Sequence, residues 1–368
     1  MLIYIIVYGL IFISIFVECL VSDKQTKKLV LYFNVLILSL FSGLRWDCGS
    51  DWNQYYTCFV TIKSSEMFHY YRYGNQYFEP LFSFMNFGFK YIFGKGAFSI
   101  LLLFSSFLRY GVWAYVFKRI CPYPLIAFAA FLSVDMGFPT ARTAVAYALI
   151  LLSYIFITER NLKKYLCCVL CAFLIHKSTI IFLPMYWIYG RIKMKLAYSL
   201  IAYVASISFS VIADKYLPGV GAMLSAYAGD DSMSEQIETY TSWQTNESVA
   251  KSLSAYVLSF FWLLLFYWQR TKVKFSKTEN DKYDFYLFTY TLSLCLTTAF
   301  SLFFTDLTRM ALLFNTWAFL ISYTFIPLRK MRYIIATILI IFLFYRLNTQ
   351  IFNSMYKEYY IPYKSILD

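Results

Sequence analysis

The sequence predicts an all-α, polytopic membrane protein, and three observations support this fold class. Of the 368 residues, 60% are hydrophobic and only 14% are charged, whereas a soluble globular chain carries about 25% charged residues. Apolar runs recur from Leu2 almost to the last residues. These runs are continuous, whereas the strands of outer-membrane barrels alternate apolar and polar residues over about ten positions. Soluble enzymes, disordered chains and small disulfide-linked scaffolds are therefore excluded.

Ten apolar segments are candidates for crossing helices, each of which needs about 20 mostly apolar residues. They are 2–21, 29–44, 97–117, 122–138, 140–158, 196–213, 253–268, 284–304, 309–326 and 333–345. Segment 81–93 is too short, and the polar triplet His176-Lys177-Ser178 interrupts segment 165–188. We therefore expect roughly 10–12 transmembrane helices, with one or two re-entrant or broken segments and a large outer loop.

Charge between the apolar segments predicts their orientation. Short loops rich in Lys and Arg face the cytoplasm, and six basic clusters separate the segments: Lys24/Lys27/Lys28, Lys118/Arg119, Arg160/Lys163/Lys164, Arg191/Lys193/Lys195, Arg270/Lys272/Lys274/Lys277 and Arg329/Lys330/Arg332. Segment 214–252 carries six acidic residues against two basic ones, so we expect it on the outer side. Because the basic residues lie in these loops, the net charge of +13 does not predict a nucleic-acid partner.

The predicted organisation is a single integral membrane domain, 1–368, with periplasmic loops at 45–80 and 214–252. Simple alternation across the bilayer satisfies these assignments only if segments 81–93 and 165–188 do not cross it. We expect 81–93 to be re-entrant or interfacial, and 165–188 to form two half-length legs that meet at His176. Non-helical backbone at membrane depth is tolerated only where it is buried in protein or lines a wet cavity. This arrangement therefore predicts a cavity near His176.

No cofactor is predicted. Cys168-x-x-Cys171 lacks a second ligand pair at a spacing that zinc sites use, so we expect no metal. Cys48 and Cys58 share one polar loop, and the sequence leaves open whether they form a disulfide. No Gly-rich phosphate loop, Walker motif, His-Glu-x-x-His or hydrolase elbow is present. A donor substrate should therefore be membrane-borne and be met from the outer side.

Several charged residues fall at predicted outer helix ends or in outer loops, where charges are costly and usually functional. Gly49-Ser50-Asp51 predicts a turn into a helix N-cap with Tyr55 one turn after Asp51. The alternative is an interfacial helix with an aromatic belt. Arg142 and Arg309 are predicted on the outer side, where the positive-inside rule does not expect basic residues, so a function is favoured over snorkelling to the interface. The charged residues are Arg45, Asp47, Asp51, Asp135, Arg142, Asp306 and Arg309, with His176 on the same side.

Five stretches together resemble the motifs of the EpsG family of Wzy-type polysaccharide repeat-unit polymerases. Gly43-Leu44-Arg45 followed by Gly49-Ser50-Asp51-Trp52-x-x-Tyr55 resembles its first-loop signature, with Ser50 where Thr is usual. The others are Glu79-Pro80-Leu81-Phe82, Arg142-Thr143-Ala144-Val145-Ala146 (Thr143 stands where Gln is usual), Ala172-Phe173-Leu174-Ile175-His176-Lys177-Ser178, and a late Arg309 with the Tyr-rich end Pro362-Tyr363-Lys364-Ser365-Ile366. The resemblance covers most of the chain in the right order.

This resemblance implies a multi-pass enzyme of the bacterial inner membrane that needs neither metal nor nucleotide. Its substrate would be an undecaprenyl-diphosphate-linked oligosaccharide, and further partners would be membrane lipid and the chain-length regulator and flippase of the same pathway. Asp51, His176 and Arg142 would be catalytic, and either Asp51 or His176 would be the base. The implied ligands of the diphosphate or glycan are Arg45, Asp47, Arg309, Tyr55 and Glu79.

Two other classes stay open at this point. A flippase for lipid-linked oligosaccharides is expected to show internal repetition, and none is evident. A membrane O-acetyltransferase would need a cytoplasmic acyl-donor route, whereas the one sizeable polar loop between the termini is predicted on the outer side. The sequence does not distinguish O-antigen, capsule and exopolysaccharide as products.

Overall fold

A computed structural model of the chain describes residues 1–49, 51–68, 71–73, 76–134, 136–138, 141–216, 249–300, 305–353 and 357–368. The structure is predominantly helical, which confirms the all-α fold class. The strands of the described ranges are a short antiparallel pair, β1 (Tyr71–Tyr73) and β2 (Gln76–Phe78). The helices of the first half are α1 (Leu2–Leu20), α2 (Lys24–Gly43), α3 (Trp52–Thr61), α4 (Pro80–Phe93), α5 (Phe98–Ile120), α6 (Pro124–Leu132), α7 (Ala141–Thr158), α8 (Leu162–Ile175) and α9 (Met185–Ile188).

The helices of the second half follow in the same numbering. These are α10 (Leu196–Tyr216), α11 (Val249–Lys272), α12 (Lys277–Phe300), α13 (Thr305–Ala311), α14 (Trp317–Thr324), α15 (Arg332–Leu347) and α16 (Lys357–Tyr360). Within the described residues, six helical stretches are long and apolar enough to cross a membrane: Leu2–Leu20, Lys24–Gly43, Phe98–Ile120, Ala141–Thr158, Leu196–Ala213 and Arg329–Phe352. The chain is therefore a polytopic membrane protein, and the larger number of roughly 10–12 crossings stays a prediction.

Two predicted spans are wrong as continuous helices. Segment 122–138 is an α-helix only over Pro124–Leu132, and the Ser133 hydroxyl donates back to the carbonyl of Ala130 at the end of that helix. Segment 309–326 is interrupted, because Asn315 is extended and its side chain accepts a hydrogen bond from the Trp317 N–H at 3.1 Å. Hydroxyl and amide side chains compete in this way with the helical hydrogen bonds of the backbone.

The break in segment 165–188 is confirmed. Helix α8 ends at Ile175, His176 is extended with φ −153° and ψ 106°, and a 3₁₀ helix follows over Lys177–Phe182. The short segment 81–93 lies in α4, a helix of 14 residues. At 1.5 Å per residue α4 is about 21 Å long, which is shorter than the hydrocarbon core of a bilayer.

The chain forms two compact units, and the first consists of Met1–Tyr186 and Ile321–Asp368. In this unit α5 packs against α2 and α7, α7 packs against α8, and α1 packs against α6 and α15. The end of α2 meets α5 closely, because a Cβ at Gly43 would lie 2.6 Å from the Cα of Leu103. The start of the first loop is therefore fixed on α5.

An aromatic cluster fills the space between α3, α4 and α5. Helix α3 begins at Trp52 with Asp51 at its N-cap, as predicted. Its buried side carries Trp52, Tyr55 and Phe59, which pack on Phe82 and Phe98. The aromatic side of α3 is thus part of the core of this unit, and loop 45–80 holds a helix and a hairpin.

The second unit, Trp187–Leu320, contains α10 to α13. Its interior is partly polar, since the buried Asp284 carboxylate lies 2.7 Å from the Arg270 guanidinium and Ser199 hydrogen-bonds with Tyr267 and Thr291. Most of the predicted outer loop 214–252, namely 217–248, lies outside the described residues.

Candidate functional site

A buried carboxylate, Glu79, lies at the centre of the candidate site. Only 2% of its side chain is exposed. Its Oε2 lies 3.1 Å from Nη1 of Arg142, and its Oε1 accepts the backbone N–H of Lys177 at 2.9 Å. The Nδ1 of His176 is 3.5 Å from the same Oε1. Glu79 therefore joins three parts of the chain that are far apart in sequence.

The helix arrangement explains this convergence. Arg142 is the second residue of α7, and His176 directly follows the last residue of α8. These two helices pack side by side and are joined by a short connection, so they run antiparallel and the start of α7 lies beside the end of α8. Glu79 is the N-cap of α4, which also packs on α8. The break after Ile175 exposes the Lys177 N–H, which would otherwise be used within a longer helix.

Electrostatics favour an ionised Glu79 beside a neutral His176, and both residues lie outside the six long apolar helices. Burial acts to raise the pKa of Glu79, but the contact with His176 and the charge of Arg142 outweigh it and hold that pKa below its ordinary value. Burial also lowers the pKa of His176, and Arg142 acts in the same direction while Glu79 opposes it. With Nδ1 facing the carboxylate, the geometry favours the tautomer that carries its proton on Nδ1 and leaves Nε2 able to accept one.

Aromatic rings lie close to both Arg142 and His176. The Cζ of Arg142 lies 6.0 Å from the ring centre of Tyr55 and 5.6 Å from that of Phe78, within the range of cation–π attraction. The ring of Tyr147 is 6.1 Å from that of His176. Asp51, one turn before Tyr55, interacts electrostatically with Arg142.

A small pocket adjoins this centre and shares Tyr55 with it. Its lining includes Arg45, Asp51, Trp52 and Phe138. Arg45 is buried, its guanidinium hydrogen-bonds to Ser42 at the end of α2, and its Cζ lies 5.1 Å from the ring centre of Phe138. Two predicted ligands, Arg45 and Tyr55, and one predicted catalytic residue, Asp51, therefore share one pocket.

The EpsG family model matches residues 28–365, which is nearly the whole chain and includes every residue of this site. The chain belongs to the EpsG family. The family is associated with Wzy-type polymerase-like proteins, so this is a polysaccharide polymerase-type membrane protein. No curated protein and no solved structure gives a significant match to it.

One predicted ligand in the same unit, Asp47, is not among the contacts of Glu79. Asp47 is about half exposed and its carboxylate pairs with the ammonium of Lys364 at 3.1 Å. Another predicted ligand, Arg309, is an exposed residue of α13 in the second unit. Asp135 and the side chain of Asp306 lie outside the described residues.

The described residues of this EpsG-family chain include cysteines and acidic residues that could form a disulfide or hold a metal ion. Cys48 and Cys58 are both buried free thiols, so the disulfide that the sequence left open is not present. Within the described ranges, no group of three or more His, Cys, Asp or Glu is arranged to hold a metal ion.

Sequence reasoning missed several contributors to the site. The backbone N–H of Lys177 and the rings of Phe78 and Tyr147 were not predicted. A backbone donor leaves no mark in a sequence, and two more rings do not stand out among 38 Phe and 35 Tyr. The one available signal was that Phe78 directly precedes the Glu79-Pro80 motif.

Proposed function

We propose that the protein polymerises undecaprenyl-diphosphate-linked oligosaccharide repeat units at the outer face of the bacterial inner membrane. The non-reducing hydroxyl of a new repeat unit attacks the anomeric carbon of the growing chain. The bond from that carbon to the diphosphate oxygen breaks, undecaprenyl diphosphate leaves, and a base takes the hydroxyl proton. The observation that carries this proposal is the arrangement of Arg142 and His176 on the two oxygens of Glu79.

Arg142 is the proposed ligand of the diphosphate. A guanidinium can donate two parallel hydrogen bonds to phosphate oxygens, which a point charge cannot. Stabilising the charge that develops on a leaving group is usually the largest catalytic contribution. The ion pair with Glu79 and the rings of Tyr55 and Phe78 hold this guanidinium before the substrate binds.

His176 is the proposed base. It lies at a helix break, is 18% exposed, and has a carboxylate behind Nδ1. This is the arrangement in which an acidic side chain orients an imidazole and stabilises its protonated form. Asp51 is the second candidate, because it lies near Arg142 in the adjoining pocket.

The remaining predicted residues have supporting roles in this proposal. Glu79 was predicted as a ligand of the diphosphate or glycan, but its carboxylate is buried and surrounded by Arg142, His176 and Lys177, so we propose that it orients the first two. Arg45 and Tyr55 would line the path of the glycan. Diphosphate binding by Arg309 and glycan binding by Asp47 stay predictions of the sequence, as do a chain-length regulator and a flippase as partners.

The glycan profile of a deletion strain tests the proposal. A polymerase defect removes long chains and leaves single repeats on the cell surface, whereas a flippase defect removes surface repeats altogether. Loss of acetyl groups with normal chain length would indicate an O-acetyltransferase. Complementation with Arg142→Ala should leave single repeats, and complementation with the wild-type chain should restore long ones.

A further inference from the structure

Residues 357–368, here called the strap, lie along the first loop, residues 44–49. The two segments run antiparallel, with a backbone bridge between Arg45 and Ser365. Backbone hydrogen bonds join them at both ends: Trp46 N–H to Lys364 O at 2.9 Å, Ile366 N–H to Leu44 O at 2.9 Å, and Gly49 N–H to Tyr359 O at 2.8 Å. The polar backbone groups of the first loop therefore find partners in the strap.

Two tyrosines anchor the strap to the first helices. The Tyr363 hydroxyl donates to the carbonyl of Phe41 at 2.7 Å, and the two rings stack with centres 4.7 Å apart and planes at 15°. The Tyr4 hydroxyl donates to the carbonyl of Tyr360 at 2.7 Å. These contacts hold the strap against the end of α2 and the start of α1.

The first loop depends on such support because of its backbone. Asp47 has φ 45° and Gly49 has φ 116°. A positive φ is uncommon in a residue other than glycine, and it persists where the surrounding structure holds the backbone in place. The Asp47–Lys364 ion pair is about half exposed at both ends, so it contributes little. The backbone pairing and the Tyr363 contacts are the stronger restraints.

We propose that the strap is a positioning element of the polymerase site, and that Tyr363 acts through Arg45. This proposal rests on the proposed function. The strap fixes the loop residues on both sides of Arg45, and the loop leads directly into Asp51 at the start of α3. Arg45 lines the pocket that adjoins Arg142, so a loosened loop misplaces a guanidinium that lines the glycan path.

The reactivity of the Cys48 thiol measures whether the strap covers the first loop. The residue is 1% exposed, and its Sγ lies 3.7 Å from the carbonyl oxygen of Tyr360. In purified protein whose other cysteines are replaced, Tyr363→Ala should raise the rate of maleimide labelling at Cys48 by about tenfold, because it removes one hydrogen bond and one stacked ring pair. Lys364→Ala is the matched control and should leave the rate unchanged. An unchanged rate in Tyr363→Ala overturns the proposal.

The second measurement is in vitro polymerisation in a double-mutant cycle. Tyr363→Ala should raise KM for the lipid-linked repeat unit by about tenfold with little change in kcat, and it should have no further effect when Arg45 is already Ala. Tyr363→Phe keeps the stacked ring, so its KM should be close to that of the wild-type protein. Additive effects of the two substitutions, or a loss in kcat alone, would show that the strap does not act through Arg45.

The two proposals fail in different ways. If wild-type protein makes no polymer from synthetic repeat units, the proposed function is refuted and the role of Tyr363 in polymerisation is refuted with it, whatever the labelling shows. If wild-type protein polymerises and Cys48 labelling is the same in all variants, only the strap proposal is refuted.

Discussion

Replacing Glu79 with Gln changes the charge at the centre of the site while keeping the size of the side chain. The carboxylate accepts from Arg142 at one oxygen and from the Lys177 N–H at the other. A glutamine amide has a single accepting oxygen, so its NH₂ group must face one of these two donors. Whichever way the amide turns, one partly buried donor loses this acceptor.

The size of the effect follows from that lost acceptor. Leaving a buried donor unsatisfied costs about 1–3 kcal/mol. Since about 1.4 kcal/mol corresponds to a factor of ten, the polymerisation rate should fall by about 5- to 150-fold. The cost stays below that of a fully buried broken ion pair because 16% of the Arg142 side chain is exposed to solvent.

Glu18 provides a matched control in the same unit. Its side chain is 3% exposed, its Oε1 lies 2.8 Å from the Lys27 ammonium, and its Oε2 accepts the Leu125 N–H at 2.9 Å. Tyr4, which contacts the strap, is 14 positions earlier on α1 (18 − 4), a distance of about 21 Å along the helix. Glu18→Gln should therefore cost similar stability without touching the site.

The assay is polymerisation of synthetic lipid-linked repeat units by purified protein, with the thermal midpoint of each variant measured in the same detergent. We expect both variants to lose stability and Glu79→Gln alone to lose rate. A Glu79→Gln rate within about twofold of wild type, less than one lost hydrogen bond would give, refutes the reasoning. Equal loss of rate in Glu18→Gln would show that stability, and not site geometry, limits the assay.

Three further predictions concern the base, the diphosphate ligand and the topology. If His176 is the base, the polymerisation rate should fall toward acidic pH with a midpoint below about 6.5, because burial lowers the pKa of His176 and only the neutral ring accepts a proton. His176→Gln should abolish this pH dependence, and a pH dependence that persists would favour Asp51 as the base. Arg142→Lys should keep only part of the wild-type rate and Arg142→Ala almost none, since an ammonium lacks the guanidinium fork; full activity of Arg142→Ala in the polymerisation assay removes Arg142 from the mechanism. Ser232→Cys in a cysteine-free background should react with an impermeant maleimide in intact spheroplasts, and reaction only in inverted vesicles would reverse the predicted orientation.

The parts of the site that the sequence predicted are those with a local cause. The break at His176 follows from three polar residues within an apolar run, and Asp51 at the N-cap of α3 follows from the turn before it. Both effects act within a few residues, so pattern and spacing reveal them.

The role of Glu79 could not be predicted in the same way. Its contact with the Lys177 N–H joins residues 98 positions apart and requires the packing of α4 on α8. Segments 122–138 and 309–326 were predicted as single spans because hydropathy counts apolar side chains. It does not register that Ser133 bonds to the backbone where α6 ends, or that Asn315 accepts the backbone N–H of Trp317 where α14 begins.

The Arg142–Glu79 ion pair also bears on how quickly the proposed reaction can repeat. Because Glu79 neutralises the guanidinium in advance, an arriving diphosphate exchanges one anionic partner for another, and only the difference between the two contributes to its affinity. In the proposed reaction, the Glu79 carboxylate forms its ion pair with the Arg142 guanidinium again when undecaprenyl diphosphate departs. A lone Arg with no counterion would hold the spent carrier far more tightly. If the proposed reaction is correct, the buried carboxylate would keep product inhibition low, because one carrier must be released for every repeat unit that is added.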